Sequence, residues 1–175
     1  MSRKMPEQKP GKSEQVVRTP RAFTAAVELT FGALSCDLAA CADNVVHLSG
    51  LEHLETTYGD WFGPDNIDPS RRDSLTAEWP GEGQAWLNPP FGMIGKFAKK
   101  CARECAGGSK DMHILMLVPA SVGANWYRDH VQPFADVYSV GRMKFVGHED
   151  VYPKDLILAH YWKPGGYKFR HWKWQ

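Results

Sequence analysis

The stretch AWLNPPFGMIGKF, Ala85 to Phe97, decides the fold. A short apolar run meets Asn88, then two prolines, then Phe91 and a glycine, and a helix-like pattern follows. Consecutive prolines remove two backbone donors and fix φ twice, so neither a helix nor a central strand can pass through them. The stretch therefore reads as a strand stopped on an asparagine, a rigid turn, and the start of a helix.

Working outward, Ile94, Phe97, Ala98, Cys101 and Cys105 recur at helical spacing, with Lys96, Lys99, Lys100 and Arg103 on other faces. That is an amphipathic helix, ended by Gly107-Gly108. HILMLVPA, His113 to Ala120, is a continuous apolar run of the kind a central parallel strand requires. A helix over roughly 124–131 and strands near Val137–Val140 and Leu156–Trp162 follow. Upstream, Thr19-Pro20 starts a helix that buries Phe23, Val27 and Phe31 and ends at Gly32. ALSCDLAA, Ala33 to Ala40, is a short apolar run carrying one acid, Asp37, and Asn44 to Trp79 reads mostly as loop. Strands alternating with helices predict an α/β fold: a mainly parallel sheet with helices on both faces.

The chain of 175 residues suits one domain with a real core. Residues 1–18, polar and without period, read as a disordered tail, and 19–175 as a single domain. A net charge of +1 gives no global electrostatic footprint, so nucleic-acid contact has to rest on local patches. No apolar run reaches the roughly 18 residues of a membrane span, and no secretory core opens the chain, so the expected location is the cytoplasm. Cys36, Cys41, Cys101 and Cys105 lack zinc-site spacing, and the expectation is reduced thiols with no metal.

Ligands of open α/β sheets bind beyond the carboxyl ends of the strands, where Asn88 stands. Its side-chain carbonyl is one acceptor, and the Pro89 carbonyl, framed by Pro90, is a second. Phe91 adds an aromatic face. Two acceptors beside a flat apolar plate suit a planar group bearing an NH2, such as a nucleobase. The plainer alternative is a proline-rich turn that only ends a strand.

NPPF resembles the [DNS]-P-P-[YFW] motif of S-adenosylmethionine-dependent amino-methyltransferases. TPRAF, CDLAACADN, DSLTAEWPGEGQAWLNPPFG, LVPASVGANWY and GRMKF fall in the order and spacing of the small phage-type Dam-like DNA N6-adenine methyltransferases. The resemblance covers roughly Thr19 to Trp162. It implies a Rossmann-like methyltransferase sheet with an antiparallel final strand, S-adenosyl-L-methionine as cofactor, and double-stranded DNA with a flipped adenine as partner. It implies further that Asn88, Pro89, Pro90 and Phe91 form the catalytic motif. Asp37 and Ala39 would serve the methionine moiety at the tip of the first strand, with Thr19 and Pro20 closing over it. Asp73, beside Leu75, would accept from the cofactor's adenine amine. CDLAACA departs from the wider methyltransferase pattern in lacking its glycines, so Ala39 and Ala40 stand where glycine lets a backbone approach a cofactor. Asp37 can also cap a following helix, and Asp73 a turn.

In the family pattern Trp126 and the GRMKF segment line the target-base side, with Arg142 and Lys144 contacting base or phosphate; a core tryptophan and solvated cations are the alternatives. From about residue 160 the chain is basic and aromatic, with Lys163, Lys168, Arg170 and Lys173 interleaved with Tyr167, Phe169, Trp172 and Trp174. This suits phosphate contact and base stacking first; the alternative is an edge strand with its aromatics packed inward, and the two are compatible. Rival functions are methylation of RNA guanine, DNA cytosine N4 or protein glutamine, and a catalytically inactive DNA-binding module. The resemblance implies a host-cell setting for a phage enzyme that shields DNA from restriction, acting as a monomer or weak dimer.

Overall fold

A computed structural model describes residues 17–42, 45–46, 61–107, 111–162 and 168–175. The tail assigned to residues 1–18 lies outside that set except at its end. Val17 is buried and Arg18 pairs with Val146, so these two belong to the folded domain. Their place in the fold depends on distant partners, Asn88 for Val17 and Val146 for Arg18, which no local pattern reveals.

The described residues form a six-stranded sheet, β1 (Cys36–Asp37), β2 (Glu82–Leu87), β3 (Asp111–Pro119), β4 (Ala135–Gly141), β5 (Leu156–Tyr161) and β6 (Phe169–His171), in the order β1-β2-β3-β5-β4-β6. β1, β2 and β3 run parallel, β5 is antiparallel to both β3 and β4, and β6 is parallel to β4. The fold is thus a Rossmann-like α/β sheet whose antiparallel strand, β5, sits inside the sheet with one short parallel strand after it in sequence. β3 is central because Ile114 to Val118 are all buried. Strands covered on both faces need unbroken apolar runs.

Helices cover both faces. α1 (Arg21–Phe31) lies on one face, where Phe23 meets Trp86 of β2 and Phe31 meets Tyr138 of β4 and His160 of β5. It stops at Gly32, whose φ of 106° is open to glycine and strained for other residues, and Gln84 Nε2 donates to the Gly32 carbonyl there. α2 (Ile94–Ala106) and α3 (Asn125–His130) pack together on the opposite face, where Tyr161 donates to the His130 carbonyl at 3.0 Å.

Two features escape the sequence pattern. β1 is only two residues long, and Asp37 and Ala40 exchange backbone bonds with Phe62 on its other side. Lys100, placed with the solvated cations of α2, is instead 4% exposed beneath the turn at residues 74–77. Helical spacing locates a face of α2 but does not show which loop covers it. No helix among the described residues is long and apolar enough to cross a membrane.

Candidate active site

The parallel strands deliver Asp37, Asn88 and Pro119 to one rim of the sheet, since each stands at the carboxyl end of its strand or just beyond it. Asp37 ends β1 and is 2% exposed. Its Oδ1 accepts from the Ala39 N–H and its Oδ2 from the Val46 N–H, both at 3.1 Å. Burial raises its carboxyl to about 6 against the pull of those two donors, so at neutral pH it holds a negative charge at a cost.

Asn88 follows β2 directly. Its Nδ2 donates to the Val17 carbonyl at 2.9 Å and to Thr19 Oγ1 at 3.2 Å. A backbone carbonyl only accepts, so the nitrogen has to face Val17 and the amide oxygen has to face the other way. That oxygen is buried and has no partner among the described residues. An orphaned buried acceptor costs about 1–3 kcal/mol, and such groups concentrate where a ligand supplies the missing donor. Val17, Thr19, Asp37, Ala39, Val46, Trp86 and Asn88 together line a small polar cavity at this rim.

Four of the sequence-derived residues, Thr19, Asp37, Ala39 and Asn88, thus share one cavity. Pro20 is next to it, as the residue that starts α1. Pro89 is buried and Pro90 starts the short 3-10 turn Phe91–Met93 that leads into α2. Phe91 is 1% exposed, with its ring edge-on to Phe145 at 6.0 Å and Tyr152 at 5.5 Å. A base reaches its face only where those rings give way.

Asp73 is exposed and opens the turn beside β1. Its Oδ1 accepts from the Leu75 N–H at 3.0 Å, and the next residue, Ser74, donates from Oγ to the Leu38 carbonyl at 2.5 Å. Asp73 and half-buried Leu75 therefore flank the same strand tip that carries Asp37 and Ala39.

Gly63 allows a close backbone approach of a different kind, to Ala40 rather than to a cofactor. A Cβ there would lie 1.8 Å from the Ala40 carbonyl oxygen. The glycine lets segments 37–40 and 61–63 pack backbone against backbone. Its position in a different segment is why a search for a glycine-rich loop after β1 misses it.

Arg142 and Lys144 are exposed on the segment leaving the carboxyl end of β4, hence on the Asn88 rim. Arg142 pairs loosely with Asp155 at 3.9 Å. Trp126 is half-buried on α3 and packs on the core, 3.5 Å from where a Cβ on Gly95 would sit. Lys168, just before β6, and Arg170, opposite Tyr138 in the middle of β4, are exposed but stand short of the carboxyl end of β4, so the fold does not bring them to the rim. Trp172 and Trp174 turn inward onto Phe23, and Trp174 Nε1 donates to the Val140 carbonyl at 3.2 Å. Lys163 and Tyr167 lie outside the described residues.

In the strap Val17–Thr19 the sequence pattern singles out Thr19 but neither Val17 nor Arg18, and it also passes over Lys100. Val17 and Thr19 orient Asn88, and the Arg18 carbonyl accepts from the Val146 N–H at 3.0 Å, tying the strap to the GRMKF side of the rim. Cys101 is fully buried and its thiol is pushed well up by that burial, which leaves it inert as a nucleophile.

A family model described as DNA N-6-adenine-methyltransferase (Dam) matches residues 7–156. The match takes in the Val17–Thr19 strap, the Asp37 tip, the Asp73 turn, the NPPF motif and the GRMKF segment. No curated protein sequence matches the chain.

Proposed function

Because the chain belongs to the DNA N-6-adenine-methyltransferase (Dam) family and is a DNA N6-adenine methyltransferase, we propose that Asn88 holds the target amine and S-adenosylmethionine donates the methyl group. The observation that carries this reading is the unpartnered, buried Asn88 Oδ1. It is an acceptor held in place by the two bonds on the other end of its own amide, and an adenine N6 amine is a donor.

The residues fit such a cofactor. Asp37 offers a buried negative charge for a cationic amine, and Asp73 an exposed carboxylate for an adenine amine. When bound, S-adenosylmethionine supplies an electrophilic methyl group on a sulfonium. The chain's own work is to bring the adenine out of the duplex, at a cost of a few kcal/mol, and to orient its amine. Asn88 Oδ1 and the Pro89 carbonyl accept hydrogen bonds from the two N6 protons. That pairing would draw the nitrogen out of conjugation with the ring and free its lone pair to take a methyl group, with one N6 proton then released to water. Once Phe145 and Tyr152 yield, the base stacks on Phe91, a contact of a kind worth about 1–3 kcal/mol. Holding the reactants in this geometry accounts for most of the catalysis.

Arg142 and Lys144, on the same rim, contact the DNA backbone, while Trp126 lies nearby and Lys168 and Arg170, set back from the rim, meet a separate stretch of phosphates. The resemblance to phage-type enzymes supports action in a host cytoplasm on phage DNA, protecting it from restriction, with the enzyme a monomer or weak dimer. The test supplies DNA and labelled S-adenosylmethionine to the wild type and to Asn88→Ala, digests the DNA, and identifies the labelled nucleoside. Label on N6-methyl-2′-deoxyadenosine in the wild type alone is expected. Full activity in Asn88→Ala would refute the site.

A further inference from the structure

We infer that Lys100 is a positioning residue for Asp73, and through it for recognition of the cofactor's adenine; the inference rests on the role proposed for Asp73. Lys100 lies in α2, nine residues beyond Phe91, and is 4% exposed. A charge is costly to bury unless a partner replaces the water around it. Here its partners are backbone carbonyls. Nζ donates to Ser74 O at 2.8 Å, to Ala77 O at 2.5 Å and, more weakly, to Leu75 O at 3.4 Å, and it lies 4.2 Å from the centre of the Trp79 ring. Three N–H donors meet three carbonyls, with an aromatic face on a fourth side. Burial lowers its ammonium to about 8, with Glu104 pulling the other way, so it keeps three protons at neutral pH.

The Ser74 carbonyl is the key partner. It belongs to the same peptide group as the Leu75 N–H, and that N–H holds Asp73 Oδ1 at 3.0 Å. Lys100 therefore reaches Asp73 through one peptide unit: ammonium to carbonyl, then N–H to carboxylate. Hydrogen bonds in line polarise one another, so the ammonium both stiffens the turn and strengthens the bond that aims the carboxylate. The same turn is fastened to β1, because Ser74 Oγ donates to Leu38 O and accepts from Trp79 Nε1 at 3.1 Å. One lysine thus joins the helix after NPPF to the turn carrying Asp73 and to the strand tip carrying Asp37.

The test measures calorimetric affinity for S-adenosylhomocysteine and for its inosine counterpart, in which a carbonyl replaces the exocyclic amine. The proteins are wild type, Asp73→Ala, Lys100→Met and the double variant, each checked for folding by circular dichroism. The wild type is expected to prefer the adenosine form at least tenfold, and Asp73→Ala to lose that preference. Lys100→Met should lose at least threefold of it, and the double variant should lose no more than Asp73→Ala alone. A merely structural lysine would change melting temperature and leave the ratio intact. Full preference in Lys100→Met, or losses that multiply in the double variant, overturns the inference. Full preference in Asp73→Ala instead overturns the Asp73 assignment, and the inference with it. Should Lys100→Met not fold, Lys100→Arg keeps the charge but cannot aim one nitrogen at three carbonyls, and the same criteria apply to it.

Discussion

Asn88 Nδ2 and the Val17 carbonyl, 71 residues apart in sequence, meet at 2.9 Å, and this bond decides which end of the Asn88 amide faces the cavity. Asn88→Ala is therefore expected to reduce methylation by at least 100-fold, since it removes the acceptor that develops the reactive amine. Stability should change by only about 0.5–1.5 kcal/mol, the worth of an ordinary hydrogen bond. Asn88→Asp is the sharper variant. It keeps an acceptor but sets a carboxylate oxygen against the Val17 carbonyl, so activity should fall with the fold retained. Methyl incorporation and thermal melts read both.

Gly63→Ala should be disproportionately harmful for a single methyl group. Its Cβ would lie 1.8 Å from Ala40 O, and neither backbone has slack. A loss of about 1–3 kcal/mol in stability is expected, as for overpacking in a rigid interior. A fall in cofactor affinity should accompany it, because the displaced segment carries Asp37 and Ala39. Chemical denaturation and calorimetry test the two effects separately.

Cofactor affinity should fall as the pH drops through about 6. Asp37 titrates there, above its ordinary value, because burial disfavours its charge. Above pH 6 the carboxylate is present for a cationic amine; below it the neutral acid offers no such pairing, and affinity drops by up to tenfold per unit. For folding the sign is opposite. The folded state binds the proton more tightly than the unfolded chain, so ionisation of Asp37 lowers apo stability between about pH 4 and 6. Affinity and melting temperature measured across pH 4.5–8 should therefore move in opposing directions from this group.

The C-terminal segment divides into two functions. Trp174→Ala removes a half-buried ring that packs on Phe23 and should destabilise the fold by about 1–3 kcal/mol, less than a fully buried tryptophan would. Lys168→Ala with Arg170→Ala should leave melting nearly unchanged. Each cation that neutralises a phosphate adds about one to the salt slope of DNA binding, so the double variant should show a shallower slope than the wild type. An unchanged slope would show that β6 stays in solvent while DNA is bound.

The parts of this fold legible in sequence are those with their own period or punctuation. α2 declares itself through Ile94, Phe97, Ala98 and Cys101, β3 through its unbroken apolar run, and the turn at Asn88 through its prolines. NPPF marks the rim because proline chemistry is local. What stays hidden depends on distant partners. Val17 is one apolar residue beside a polar tail until Asn88 receives it, Gly63 is one glycine in a loop until Ala40 abuts it, and Lys100 is one of several cations on α2 until residues 74–77 close over it. Phe91 is legible as an aromatic beside the motif, but its covering by Phe145 and Tyr152 is not.

The placement of β5 has a consequence for how the chain is made. Leu156–Tyr161 emerge late in synthesis, yet they occupy the interior of the sheet, bonded to β3 on one side and β4 on the other. Until they arrive, β3 has a raw edge and β4 has nowhere to dock, so the domain cannot close progressively from its amino terminus. Pairings this distant in sequence are slow to form and leave sticky edges waiting. A chain shortened before Leu156 should thus fail as a whole and pass to aggregation or proteolysis, even though it still encodes every residue assigned to the methyl-transfer chemistry.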